Sequence, residues 1–167
     1  MTSDVSAPGA SASRVSSREI DAVLAACRVL VAISARSIAA VDGAVDVAQF
    51  RILVILAARR AVSLGELAES AGLHLSTASR MCDRLVGIGL LHRSDDPANR
   101  RQLILTLTPE GRRLVTRVMQ RRRAALAPLL RQLSTTRRAE LVAVLEEFAT
   151  AGGEPAEGDL WSMGWTT

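Results

Sequence analysis

Residues 76–80 read STASR, so Ser76, Thr77, Ser79 and Arg80 place three hydroxyls and one guanidinium within five positions, between LAESAGLHL and MCDRLVGIGLL. Serine and threonine compete with the backbone for hydrogen bonds and are poor residues for a helix interior. Grouped with an arginine, they suit a polar, anionic partner. Hydroxyls donate to phosphate oxygens or base edges, and the arginine fork matches the O6/N7 edge of guanine. Other chemistries lack their residues. There is no nucleophile beside a base, no glycine-rich phosphate loop and no pair of carboxylates on one face, so the chain reads as a non-enzyme. His74, His92, Cys27 and Cys82 have no ligand spacing, so neither a metal nor another cofactor is expected.

The elements around STASR decide what it faces. Counted from Leu64, Leu67 and Ala68 come fourth and fifth, Gly72 ninth, Ala78 fifteenth and Met81 eighteenth. That is the spacing of a helix-turn-helix, with a small residue at the helix crossing, a glycine in the turn and apolar residues returning the second helix to the core. Ser76, Thr77, Ser79 and Arg80 then project from the first turns of the second helix, the part of a recognition helix that meets base edges. Two short strands follow, LLHR and QLILTL, joined by the polar turn SDDPANRR. A hairpin at that point makes a winged helix, and double-stranded DNA is the expected partner.

Helix boundaries carry their own signals. Ser16 or Ser17 caps a long first helix whose apolar positions, Ile20, Val23, Leu24, Cys27, Val31, Ile38 and Val41, form one stripe expected to be buried. Asp46 with Gln49, and Ser63 with Glu66, have the spacing of capping boxes for a second and a short third helix. The fourth helix runs from about His74 to Ile88, before Gly89. Thr108-Pro109-Glu110 starts a long helix to about Leu133, with Pro128 expected to kink it. Ser134 or Thr135 opens a last helix to about Gly152. The fold class is mainly α with a small β-hairpin wing, in the order α-α-α-α-β-β-α-α.

The chain has 167 residues, enough for one core, and its 49% hydrophobic content excludes a mainly disordered protein. No apolar run approaches the roughly 18 residues of a membrane span, and the N-terminus lacks the pattern of a signal peptide, so a cytoplasmic protein without membrane contact is expected. Two cysteines are too few for a disulfide framework. Net charge is +4 and every basic residue is arginine. A pI of about 10.7 suits a nucleic-acid binder.

From LGELAESAGLHLSTASRMCDRLVGIGLLHR through DDPANRRQLILTLTPEG, the sequence resembles the multiple-antibiotic-resistance regulator (MarR) family of bacterial transcription factors. The resemblance implies a single domain over 16–152, with a winged helix at about 46–108 and dimerisation helices at about 16–41 and 109–152. Residues 1–15 read as disordered and 153–167 as a tail. It further implies a homodimer on a pseudo-palindromic operator, acting as a repressor released by a small phenolic or lipophilic effector or by cysteine oxidation. The alternative is a winged-helix module, architectural or protein-binding, without an effector. Ser63, His74, Ser76, Thr77, Ser79, Arg80 and Arg84 are the expected DNA contacts of the helices, and Asp96, Asn99, Arg100 and Arg101 those of the wing. Two positions depart from the family. Asn99 stands where an acid usually braces the second wing arginine, here Arg101, and His74 replaces a small polar cap.

Three further features have ordinary readings. Cys27 is expected as a buried structural thiol, and Cys82 as a packing residue on the recognition helix. The arginine-rich stretch 112–123 reads as a solvated helix face, with Arg113, Arg117 and Arg121 aligned four apart. The tail carries Trp161 and Trp165, which suggests that it docks on the dimer.

Overall fold

The computed structural model describes residues 14–41, 45–59, 61–95 and 103–153. The expectations for the N-terminal segment before Arg14, for the wing residues Asp96, Asn99, Arg100 and Arg101, and for the tail with Trp161 and Trp165 lie outside the described residues. Six helices and three strands follow in the order α1 (Ser17–Ala39), α2 (Val47–Arg59), β1 (Ala61–Ser63), α3 (Leu64–Ala71), α4 (Leu75–Gly87), β2 (Leu91–Asp95), β3 (Leu103–Leu107), α5 (Pro109–Arg131) and α6 (Thr135–Ala151). The chain divides into two units, residues 1–32 and 33–167, and α1 begins in the first and ends in the second.

In the first unit, Ser16 caps α1. Its hydroxyl accepts from the Glu19 N–H at 3.3 Å, and the Glu19 carboxylate accepts from the Ser16 hydroxyl at 2.6 Å and the Ser16 N–H at 2.7 Å. Those bonds, the hydroxyl's first, hold the Glu19 carboxyl below its ordinary pKa. None of the unit's described residues is buried, and Ile20, Val23 and Leu24 are each about half exposed or nearly so. The expected buried stripe is therefore corrected: Ile38 and Val41 are buried, while Ile20, Val23, Leu24, Cys27 and Val31 are not. Amphipathic periodicity marks a face that seeks cover; it does not say that the same chain supplies it. A second correction concerns length. α1 contains an 18-residue window apolar enough to cross a membrane by composition alone. Scattered arginines interrupt every consecutive apolar run in it but weigh little on the average.

The second unit is built on helix caps that the sequence announces. Asp46 accepts from Gln49 N–H at 2.8 Å and Gln49 accepts from Asp46 N–H at 3.1 Å. Ser63 and Glu66 form the same reciprocal box at the start of α3. The Ser63 bonds, that of its N–H first, keep the Glu66 carboxyl below its ordinary value. Gly72 ends α3 at φ 65°, a left-handed conformation that a side chain would strain, and turns the chain into α4.

The core joins α2, α3, α4, the sheet and the first half of α5 through Phe50, Leu53, Leu67, Leu85, Leu105 and Val118. The sheet is antiparallel in the order β1-β3-β2, with Val62 opposite Leu105 and Arg93 opposite Leu105 on the other side. β1 adds a strand to the expected order α-α-α-α-β-β-α-α. Three residues are too few to show a period of two, and only pairing with β3 makes them a strand. The second half of α5 carries Pro128 inside the helix, and α6 has no buried residue at all.

One junction ties these parts together. The Thr108 hydroxyl caps α5 by accepting from Gly111 N–H at 3.0 Å and donates to the Gly89 carbonyl at 2.8 Å. Gly111 lies so close to the turn after α4 that a Cβ there would stand 2.2 Å from the Leu90 carbonyl oxygen. Backbone cannot yield as a flexible side chain does, so Gly111→Ala should lower unfolding free energy by about 1–3 kcal/mol or more in urea titration. Gly65→Ala is the control, since its new Cβ meets only the Ser63 hydroxyl at 4.0 Å. Equal stability of the two variants would show that the junction is not tight.

Candidate nucleic-acid interface

α4 has two faces with different tasks. Ala78, Cys82 and Leu85, spaced four and three apart, point into the core. Ser76, Arg80 and Arg84, each four apart, lie on the opposite side and are all exposed, while Thr77 and Ser79 at the flanks are half-buried. Helical geometry alone produces this split, because residues four apart share a face. Of the STASR side chains, Ser76 and Arg80 thus share the outer surface of the helix, while Thr77 and Ser79 border it on either side.

The start of α4 is open. His74 occupies the N-cap position with an extended backbone, and its carbonyl accepts from Thr77 and Ala78 N–H, each at 3.0 Å. Its side chain makes no capping bond, so the N-cap residue leaves the positive dipole end of the helix without an acceptor of its own. Such an end favours an anionic oxygen. Ser63 behaves differently. It is buried, and its hydroxyl is engaged with Glu66, donating at 2.7 Å. The structure therefore does not bring Ser63 onto the face that Ser76 and Arg80 share.

Strands β2 and β3 pair along their whole length, with Leu91 opposite Leu107 and Asp95 opposite Leu103. The wing is joined to the helix by a contact that the sequence reading missed. Arg93 Nη2 donates to Asp83 Oδ1 at 2.8 Å, linking β2 to α4. Both side chains keep water access, at 32% and 56% exposure, so the pair contributes about 0–1 kcal/mol of stability. Its consequence is geometric and electrostatic: it orients β2 against α4 and neutralises an acid that would otherwise stand on the recognition helix. Nothing in the spacing of Asp83 and Arg93 marks them as partners, because strand position decides the contact.

Arg113 pairs with Glu110 on the exposed side of α5, and Arg117 and Arg121 are exposed as well, in keeping with a solvated face. Arg122 departs from that reading. Its guanidinium lies 4.7 Å from the centre of the Phe50 ring, and its Nε is buried without a hydrogen-bond partner among the described residues. Burial lowers its pKa. The helix turns this one arginine of the stretch inward over α2, where ring and guanidinium attract.

A family model described as "MarR family" matches residues 45–103. The crystal structure of RV1404 from Mycobacterium tuberculosis is similar at 43% identity and a TM-score of 0.77, covering 85% of this chain and 98% of that one. BpsR of Bordetella bronchiseptica, whose DNA binding is regulated by 6-hydroxynicotinic acid, is similar at 27% identity and a TM-score of 0.62, covering 81% of this chain and 96% of its own. MarR from E. coli, solved with operator DNA, shares 20% identity at a TM-score of 0.63, covering 79% of this chain and 94% of its own, a likeness of fold. No curated protein sequence matches the chain.

The inner face of α4 has a chemical signature. Burial pushes the Cys82 thiol up to about 11, with Arg93 lowering it and Asp83 raising it in smaller measure. The thiolate is the reactive form, so in a Cys27→Ser variant Cys82 should resist a disulfide reagent at pH 8 and react once urea unfolds the protein. Fast reaction in the folded state would mean that α4 does not hold its inner face against the core.

Proposed function

The chain belongs to the MarR family of transcriptional regulators, and from that membership we propose a homodimeric repressor that binds a pseudo-palindromic operator and leaves it when a small-molecule effector binds. The observation that carries the DNA-binding half is the outer face of α4. Ser76 and Arg80 are exposed together in the first turns of α4, Arg84 continues the same face in its last turn, and Arg93 of β2 pairs with Asp83 alongside. A recognition helix entered by its N-terminal turns places Arg80 on base edges and Arg84, one turn on, nearer the phosphates. BpsR, similar over most of its length, supports the effector half, since its DNA binding responds to a small aromatic acid.

The homodimer answers the uncovered helices. Val142, Leu145 and Phe148 of α6 are at least half exposed, and Leu129 and Leu130 near the end of α5 are close to it. A second copy covers such a surface by symmetry. In this reading α1 presents its apolar residues to the partner copy and not to a bilayer, and the protein acts in the cytoplasm. The effector is a small lipophilic or phenolic molecule.

Arg80→Ala should weaken binding to DNA from upstream of the protein's own gene by about 1–3 kcal/mol, read by fluorescence anisotropy at fixed salt. Arg84→Ala should instead flatten the salt dependence with little loss of specificity. Weak binding that is uniform across sequences would replace the repressor by a non-specific DNA module.

Oligomeric state gives an independent check. Leu145→Arg with Phe148→Arg alters residues that are already half exposed or more, so the lobe should stay folded by circular dichroism while sedimentation shifts from dimer to monomer. An unchanged dimer would place the interface elsewhere.

A further inference from the structure

Leu75 is the first residue of α4, and it is 57% exposed. Leu73 and Met81, before and after it in the chain, pack against the core cluster; Leu75 does not. Three and four positions on along the helix stand Ala78, turned inward, and Ser79, half-buried, so no large apolar neighbour on α4 covers it. Its chain neighbours His74 and Ser76 are exposed and polar, and Arg80 stands further around the helix. A branched apolar side chain is therefore held in the first turn of the helix, amid the groups that suit DNA.

The major groove presents one apolar group on its floor, the C5-methyl of thymine, beside donors and acceptors that hydroxyls and arginine can read. A single leucine ringed by polar residues is too small a patch for a protein or lipid surface. It is the right size for one methyl. We propose that Leu75 is a specificity-determining residue that packs on the C5-methyl of a thymine in each operator half-site, at the edge of the face carrying Ser76. This rests on the DNA-binding reading above and adds a base that the helix selects. The first turn is where such a contact is available, because the N-terminal residues of a recognition helix reach deepest into the groove.

The test separates the two claims. The full-length protein is titrated by anisotropy against its footprinted operator, in which symmetric pairs of thymines are replaced in turn by deoxyuridine. That exchange removes the methyl and keeps every hydrogen-bonding group. Wild type should lose about threefold to fourfold per half-site at one thymine position, or about tenfold for the symmetric pair. Leu75→Ala should bind the thymine operator about tenfold more weakly and show no further loss on deoxyuridine at that position. Alanine is a strong helix former, so circular dichroism and melting temperature should match wild type. If Leu75→Ala binds the thymine operator as wild type does, or if both proteins lose equally at every deoxyuridine pair, the proposal is overturned and the operator reading stands. If wild type shows no preference for any operator sequence, both fall.

Discussion

The approach of Gly111 to the Leu90 carbonyl is the constraint on which the rest of the lobe depends. It brings the start of α5 against the turn that ends α4, and the Thr108 hydroxyl closes the gap from the other side through Gly89. β2 leaves that turn and β3 ends just before Thr108, so α4, the wing strands and α5 meet at one point. Interiors are packed too densely for such a contact to adjust in small steps. A change in the course of α5 therefore reaches α4 and the wing as a displacement of the junction.

α4 itself shows how few residues such a face requires. Three positions anchor it, and Cys82 serves as one of them because a small apolar thiol fits where α4 crosses α2 and α3. The outer positions are then free to be chosen for chemistry. Asp83 is the exception, an acid beside Ser79 and Arg80, and Arg93 accounts for it. With the pair formed, the acid does not oppose phosphate, and β2, held by its pairing with β3, gains a polar contact to α4.

Much of this was legible in the sequence, for a reason visible in particular residues. Asp46 with Gln49, Ser63 with Glu66, Thr108 before Pro109, and Gly72 all act within a few positions of themselves, so their spacing is their meaning. The recognition face follows from the same local periodicity once Ala78, Cys82 and Leu85 are seen as the inner side. What was not legible is tertiary. β1 exists only by pairing with β3, Arg93 finds Asp83 only because β2 runs past α4, and Arg122 turns inward only because Phe50 is there. Cys27 and the first half of α1 failed in the opposite direction: a stripe apolar enough to be buried in principle is exposed among the described residues. Ser63 is the cap that its spacing with Glu66 announces, and its burial, a tertiary outcome, is not in that spacing.

The uncovered helices and the closed lobe differ in what holds them together. The lobe has a continuous core and reciprocal caps. α6 has a Ser134 cap but no buried residue, and a helix of 17 residues is only marginally stable in water on local terms. In the dimer reading its remaining stability comes from the partner copy, which makes folding of the last helix and association of two chains parts of one equilibrium. The spacing between two recognition helices is then set by elements that a single chain does not hold rigidly.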